Sequence, residues 1–531
     1  MNSDYPPLPH PGRQSIPFVA EDTQALSDEM KNKMSSPSRV SRNGSSSPTV
    51  ISPDGDMIIE YAESPSTDSR RWQVSSKALM RNSPYFQALL DPNKFAEGRF
   101  LAEYKQRQAQ GVVGLSSNTN LDSSLDALRL DLPVVKISAT HLTKLCGAEA
   151  IELFLRILCA DGLSQDKKVI FESELRVTSP SIVERMIEIA ESLNSPDIVR
   201  DTLKRVWYVF GRTKISLNKF NPALLKSTED RVRQIIVIAA FIGETTIAKI
   251  MMHTLVVMGS KYWDNGPEPP TTNCLRWRYL GKGIEEELYY RRQCVMNTIT
   301  DLQAHFLRIY GGLGEISATQ DARPTPSRAT LGTSFSTSTY HREYQCRAGF
   351  GNGSQCDLFH LGQMIRFLAL RSKSIFLGST LIDPEFGMDD GEADDGVENG
   401  AATPTPTSSG PPSDIISLFA SMKQYPDYQV DPNHQGCGVR RRFLPVLEGI
   451  EKYILNPRGL LGIDLQEWED NARRPQIQWS SKMNHKNHVV DIRFEKIVCI
   501  HMPAEFSLAR AASQEEDAKL LFTAKKRNWE S

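Results

Sequence analysis

The stretch from residue 56 to residue 98, DMIIEYAESPSTDSRRWQVSSKALMRNSPYFQALLDPNKFAEG, constrains the fold more than any other part of the chain. At its start Met57, Ile59 and Tyr61 alternate with Asp56, Ile58 and Glu60, which is the period of a strand. Ala62 to Ser69 is rich in Ser, Pro and Asp and predicts a turn. Arg71-Trp72-Gln73-Val74 then returns as a second strand. Ser75 or Ser76 offers a side-chain oxygen to the free amides that open a short helix. Ser83-Pro84 is a second start signal, with Ser as the cap and Pro at the first helical position. Phe86, Leu89 and Leu90 share one face of the helix that follows.

The order hairpin, short helix, short helix, and then Lys94-Phe95-Ala96-Glu97-Gly98 resembles the BTB/POZ domain in its fungal variety. The resemblance rests on Gly55-Asp56, on Val74-Ser75-Ser76-Lys77-Ala78-Leu79, on Ser83-Pro84-Tyr85-Phe86 and on Phe95-Ala96-Glu97-Gly98. Many animal members carry a His just after the second strand, where this chain has Gln73, Val74 and Ser75. The resemblance covers about residues 54–210, with insertions near 99–127 and 161–175. It implies an α+β unit, a small three-stranded sheet wrapped by helices, that works by protein–protein interaction. In BTB adaptors of cullin-type ubiquitin ligases, a hydrophobic residue, any residue and then Glu help contact the cullin at this place. By resemblance, Phe86, Phe95 and Glu97 are therefore candidate partner-binding residues. The implied role is substrate adaptor for a cullin-type ligase; the alternative is a self-associating scaffold or transcription cofactor. The segment from His434 to Pro445 resembles one that recurs in the C-terminal halves of fungal BTB proteins.

The length of 531 residues predicts about three or four domains. Lys and Arg total 62 against 64 Asp and Glu, a net charge of −2, which gives no electrostatic reason to expect nucleic acid. The eight Cys are scattered along a long chain, which predicts reduced thiols in place of a disulfide framework. MNSDYPPLPHPGRQSIPF has no apolar signal core. The most apolar run, Ile235 to Ile242, is too short to span a membrane. The expectation is a soluble protein of the cytoplasm or nucleus with protein partners and no membrane partner.

Along the chain, residues 1–53 read as a disordered Ser/Pro-rich tail that cannot bury enough surface to offset its ordering entropy. Residues 54–210 are the BTB/POZ-like domain. Within it Leu128 to Leu132 alternates as a strand, extended or followed by Val134 to Ile137. Ile151, Phe154, Leu155 and Leu158 form a helical stripe. Ser181 and Glu184 have capping-box spacing ahead of another helix. A third helix runs from Ile198 to Phe210 and stops at Gly211. Residues 211–313 are helical, with one or two helices over 231–259 and the clearest amphipathic pattern over 283–311. Residues 314–341 form a Ser/Thr linker, and 342–387 a helical segment with Leu358, Leu361, Ile365, Leu368 and Ala369 aligned. Residues 388–413 form an acidic, Thr/Pro-rich linker. Residues 414–531 are a helical part with a late strand signal at Val490, Ile492 and Phe494. The fold class is therefore α+β, with a mainly helical continuation.

Catalytic motifs are missing: no phosphate-binding glycine loop, HExxH or GxSxG occurs. The expectation is not an enzyme and no cofactor. Metal-ligating residue types do occur. Nine residues lie between Cys346 and Cys356, while His434 and Cys437 are three apart, as are His485 and His488. Four such ligands suit zinc. There is no CxxC pair, however, and the groups lie in different segments. The expectation is buried thiols and surface imidazoles, with Cys346, Cys356, His434 and Cys437 kept as candidate ligands; a zinc protein or an enzyme built from 340–531 is the competing class. Arg440 to Arg442 and Lys525 to Arg527 are basic clusters expected on a solvated face or tail, with nuclear import as the alternative reading. Trp72, Trp207 and Trp277 read as core anchors.

Overall fold

The alternation at 57–61 becomes a strand because both of its edges find a partner. The computed structural model describes residues 47–62, 69–111, 132–137, 147–212, 214–263, 266–267, 269, 275–313, 344–346, 352–374, 414–470, 478–479, 490–491, 504–524 and 527–528. The first strands are β1 (Thr49–Val50), β2 (Met57–Tyr61) and β3 (Arg70–Val74); with β4 (Val134–Lys136) they form a mixed sheet of order β1-β3-β2-β4. β2 and β3 are antiparallel, with Met57 opposite Val74 and Tyr61 opposite Arg70. β1 runs parallel to β3, and β4 parallel to β2. Among the described residues the sheet thus has four strands, not three; Thr49 and Val50, assigned to the tail by composition, pair at its edge. β2 is buried along its whole length. Its one charge, Glu60, sits opposite Arg71, with an N···O distance of 3.1 Å, and 3.8 Å from Lys136. Such cross-strand pairs support the register.

The caps lie where the hydroxyls permit. α1 (Ser76–Asn82) is capped by Ser75, which accepts from Ala78 N–H; α2 (Pro84–Leu89) is capped by Ser83, which accepts from Phe86 N–H. Asp56 ties this region to the hairpin. Its carboxylate accepts from Ser76 N–H at 2.7 Å and from Ser76 Oγ–H at 2.6 Å, and pairs with Lys105 Nζ at 2.9 Å. Burial pushes the Asp56 pKa up, but these donors outweigh it and hold the carboxyl below its usual range.

Lys105 belongs to α3 (Ala96–Gly111). The polar segment read as an insertion from 99 is thus helical as far as 111, because a helix needs only one apolar edge; Leu101 supplies it. α4 (Ala148–Cys159), α5 (Gln165–Arg176), α6 (Pro180–Ser192) and α7 (Pro196–Arg205) follow. The second expected insertion is α5, which buries Phe171 and Leu175. α6 begins two residues before the capping-box reading. Pro180 takes the first position, so Ser179 is the cap residue and Glu184 turns inward. α7 ends at Arg205, short of Gly211.

α8 (Glu229–Ile242) and α9 (Thr245–Met258) divide at Gly243, whose φ of 82° closes α8 with a left-handed residue. α10 (Ile284–Ile309) lies beyond. Arg233 of α8 is fully buried and donates to both Glu285 oxygens at 2.9 and 2.6 Å, to Glu229 at 2.7 Å and to Ser260 Oγ at 2.8 Å. A buried ion pair of this kind is tolerated because every charged atom is hydrogen-bonded. The remaining elements are α11 (Gly353–Arg366), which continues into a wider turn over Phe367–Arg371, then α12 (Ile415–Lys423), α13 (Arg440–Ile454) and α14 (Leu465–Asp470). A short parallel pair, β5 (Val490–Asp491) and β6 (Arg527–Asn528), flanks α15 (Ala504–Thr523) in sequence. From Pro48 to Ser531 the chain forms one unit, and its core cluster extends from Ile51 to Phe522.

The tail before residue 47, the strand at 128–131, both linkers, His485, His488, Ile492, Phe494, Lys525 and Lys526 lie outside the described residues. No helix among the described residues is long and apolar enough to cross a membrane.

Candidate metal centre and partner surface

α11 leaves part of its apolar stripe exposed and buries polar residues beside the rest. Leu358 and Ile365 are exposed, whereas Cys356, Asp357, His360 and Met364 are buried. Of the rest of that stripe, Leu368 and Ala369 are buried and Leu361 packs against the core, so the apolar periodicity marked part of the buried face and missed its polar part. The polar face closes on two other pieces of chain. One is the segment 344–346 ahead of the helix. The other is the turn Pro432–His434, capped by Asp431, whose side chain accepts from Asn433 N–H, together with the residues leading into α13.

These pieces bring Cys346, Cys356, His434 and Cys437 together, all four ligand atoms lying within 4.8 Å of one another. Cys346 Sγ is 3.3 Å from His434 Nδ1 and 3.8 Å from Cys437 Sγ. His434, Cys356 and Cys437 are buried and Cys346 is half-buried. The surface imidazole expected at position 434 is therefore corrected, because the Asp431 turn folds the ring inward. His434 Nε2 lies 3.9 Å from Asp431 Oδ2. Burial, and then the neighbouring Cys346 and Cys437, push the Cys356 thiol above its usual range.

The surrounding groups are fixed by hydrogen bonds. Asp357 accepts from Gln345 N–H at 3.0 Å. Arg442 donates to the side chain of Gln345 and, at 3.4 Å, to its carbonyl. Tyr310 at the end of α10 donates to Cys437 O at 3.0 Å. His360 is fully buried, one turn beyond Cys356, and neither ring nitrogen has a hydrogen-bond partner among the described residues. The sequence reading missed His360, Asp357 and Arg442. The spacing Cys356 to His360, four residues on one helix, was the signal available for His360. Three thiols and an imidazole at these separations form a donor set for a tetrahedral borderline or soft ion.

The candidate partner-binding residues divide. Phe86 is fully buried, edge-to-face with Tyr85 at 5.3 Å between ring centroids, so its candidacy as a contact residue is corrected. The Ser83 cap sets the phase of α2 and turns position 86 to the core. Phe95 is 46% exposed just ahead of α3, Glu97 is half-buried, and Phe100 is also exposed. Burial, and then the charge of Glu97, raise the Tyr85 phenol above its ordinary pKa, so Glu97 and Tyr85 are neighbours. Gly98 lets this turn close: a Cβ there would stand 2.5 Å from the Asp91 carbonyl. Trp72 and Trp277 are buried, but Trp207 is 76% exposed.

No family model, curated protein or solved structure matches the chain.

Proposed function

We propose that this chain is a protein–protein interaction protein of the cytoplasm or nucleus, built on a BTB/POZ-like unit, and that it serves as a substrate adaptor for a cullin-type ubiquitin ligase. The observation that carries the reading is the exposure of Phe95 beside Glu97 in a unit whose Tyr61, Trp72 and Phe86 are all buried. An exposed aromatic next to a charge is the kind of anchor on which interface energy concentrates. The order of hairpin, two short helices, a strand parallel to the first hairpin strand and then a run of helices supports the same reading. Mechanism follows from packing. The buried face of α2 and the tight turn at Gly98 hold Phe95 in place, so little ordering entropy is lost when a partner covers it. The helical remainder of the chain is left to hold a substrate.

The test is the double variant Phe95→Ala, Glu97→Ala in the full chain. Loss of an interface anchor costs about 2 kcal/mol or more, roughly thirtyfold in affinity. Cullin recovered with the wild-type chain is expected to fall accordingly, while the unfolding midpoint stays unchanged because neither side chain is in the core. Undiminished cullin recovery would overturn the proposed contact. Absence of any cullin, with concentration-dependent self-association that the double variant weakens, would favour a self-associating scaffold instead.

A further inference from the structure

We propose that Cys346, Cys356, His434 and Cys437 hold one zinc ion in a closed structural site that joins the start of α11 to the turn ahead of α13. Ligand spacing is the first reason. Thiolate sulfurs about 2.3 Å from a tetrahedral zinc stand about 3.8 Å apart, and a sulfur and an imidazole nitrogen about 3.5 Å apart. The separations here are 3.8 Å from Cys437 Sγ to Cys346 Sγ and 3.3 Å from Cys346 Sγ to His434 Nδ1. A disulfide would need sulfurs at about 2.05 Å, and Cys346, Cys356 and Cys437 are all free thiols.

Ligand chemistry is the second reason. Three sulfurs and an imidazole select zinc over magnesium or calcium, which take oxygen ligands. With Nδ1 turned to the thiols, His434 faces Asp431 Oδ2 through Nε2 at 3.9 Å, the carboxylate that commonly backs a ligating histidine. Three thiolates around Zn²⁺ leave one negative charge. Arg442, bonded to the residue before Cys346, lies on hand to offset it. Four protein ligands, three of them buried, leave no open position for substrate, so the role is structural. Cys346 and Cys437 are 91 residues apart in sequence. The ion would therefore close a long loop, and it would do so against α10, where Tyr310 reaches Cys437 O.

The test begins with metal analysis of the purified full-length chain. About one zinc per chain is expected, retained through dialysis and released when thiols are modified. Exchange for cobalt(II) should give the visible bands of a tetrahedral ion and a near-ultraviolet thiolate-to-cobalt band. Cys356→Ser and Cys437→Ser should each lower zinc affinity by about tenfold or more, and Asp431→Asn by about tenfold. Loss of a ligand can unfold the region, so His434→Cys is the companion variant. It keeps four ligands and the ion, and shifts the cobalt spectrum toward that of a four-thiolate site. The Phe95→Ala, Glu97→Ala variant should retain one zinc, which separates failure of this site from failure of the partner surface. A folded, reduced wild-type chain that takes up no added zinc would overturn the proposal. So would recovery of an intact Cys346–Cys437 disulfide on peptide mapping.

Discussion

Trp207 shows what a single backbone conformation decides. Its place in the stripe Val199, Leu203, Val206 predicts a buried ring if the helix continues. The helix stops at Arg205, and Trp207 takes a φ of 52°. Trp207 N–H then bonds Lys204 O at 3.1 Å and Tyr208 N–H bonds Leu203 O at 3.2 Å, the double closure usually made with glycine in the left-handed position. The reversal sends Tyr208 and Phe210 into the core and leaves Trp207 outside. A left-handed residue with a side chain costs about 1–2 kcal/mol, and an exposed ring recovers little of it. Trp207→Gly is therefore expected to raise stability by about 1 kcal/mol, read as a higher urea midpoint at constant slope. A lower midpoint would mean that the ring packs in a way its exposure does not suggest.

Among the elements, α3 and α11 depart furthest from the sequence reading. Both have ambiguous composition, and neighbours decided their state. α3 is polar, yet Lys105 reaches Asp56 and Leu101 joins the core. α11 turns Asp357 and His360 inward beside the buried Cys356 and Met364, where Cys346, His434 and Cys437 gather. Such inversions of local pattern concentrate at special sites. The α2–α3 junction tests the packing directly. A methyl at Gly98 meets the Asp91 backbone at 2.5 Å, which a rigid helix end cannot relieve by a side-chain rotation. Gly98→Ala is expected to cost about 1–3 kcal/mol, as overpacked positions do. It should also displace Phe95, so a variant of wild-type stability would refute the tight junction.

At the scale of the whole molecule, buried titratable groups shape the response to pH. His253 on α9 is fully buried. It donates from Nε2 to Ile454 O at 2.9 Å and accepts Leu461 N–H at Nδ1 at 3.1 Å. Burial drops its pKa to about 3. The unfolded chain takes up a proton near the ordinary value that the folded chain refuses, so stability falls as pH drops below about 6.5. Glu184 works in the opposite direction. Burial, then repulsion from Glu188, raise it to about 7, against the pull of Arg276 and Arg185. The unfolded carboxyl loses its proton near 4.5 and the folded one near 7, so stability is lost as pH rises through that interval. Glu184→Gln removes this loss. Its stability advantage over wild type is expected to grow by on the order of 2 kcal/mol between about pH 5 and about pH 8. Denaturant midpoints at the two pH values check this, and a constant difference would refute it.

The same histidine explains why the C-terminal part does not stand apart. His253 and Arg291, which donates to Gly462 O at 2.8 Å, stitch residues 454–462 to α9 and α10. Local information sufficed for the hairpin, the Ser83 cap, the helical character of 231–259 and the long α10, though not for the division at Gly243. Each is set by periodicity or by a hydrogen bond within a few residues, and such interactions are written in consecutive letters. The fourth strand, the polar residues buried on α11 and the meeting of Cys346, Cys356, His434 and Cys437 depended on residues distant in the chain. Only tertiary packing decides these, because which strand edge is paired, which helix face is covered and which side chains meet are set by contacts between residues far apart in the chain.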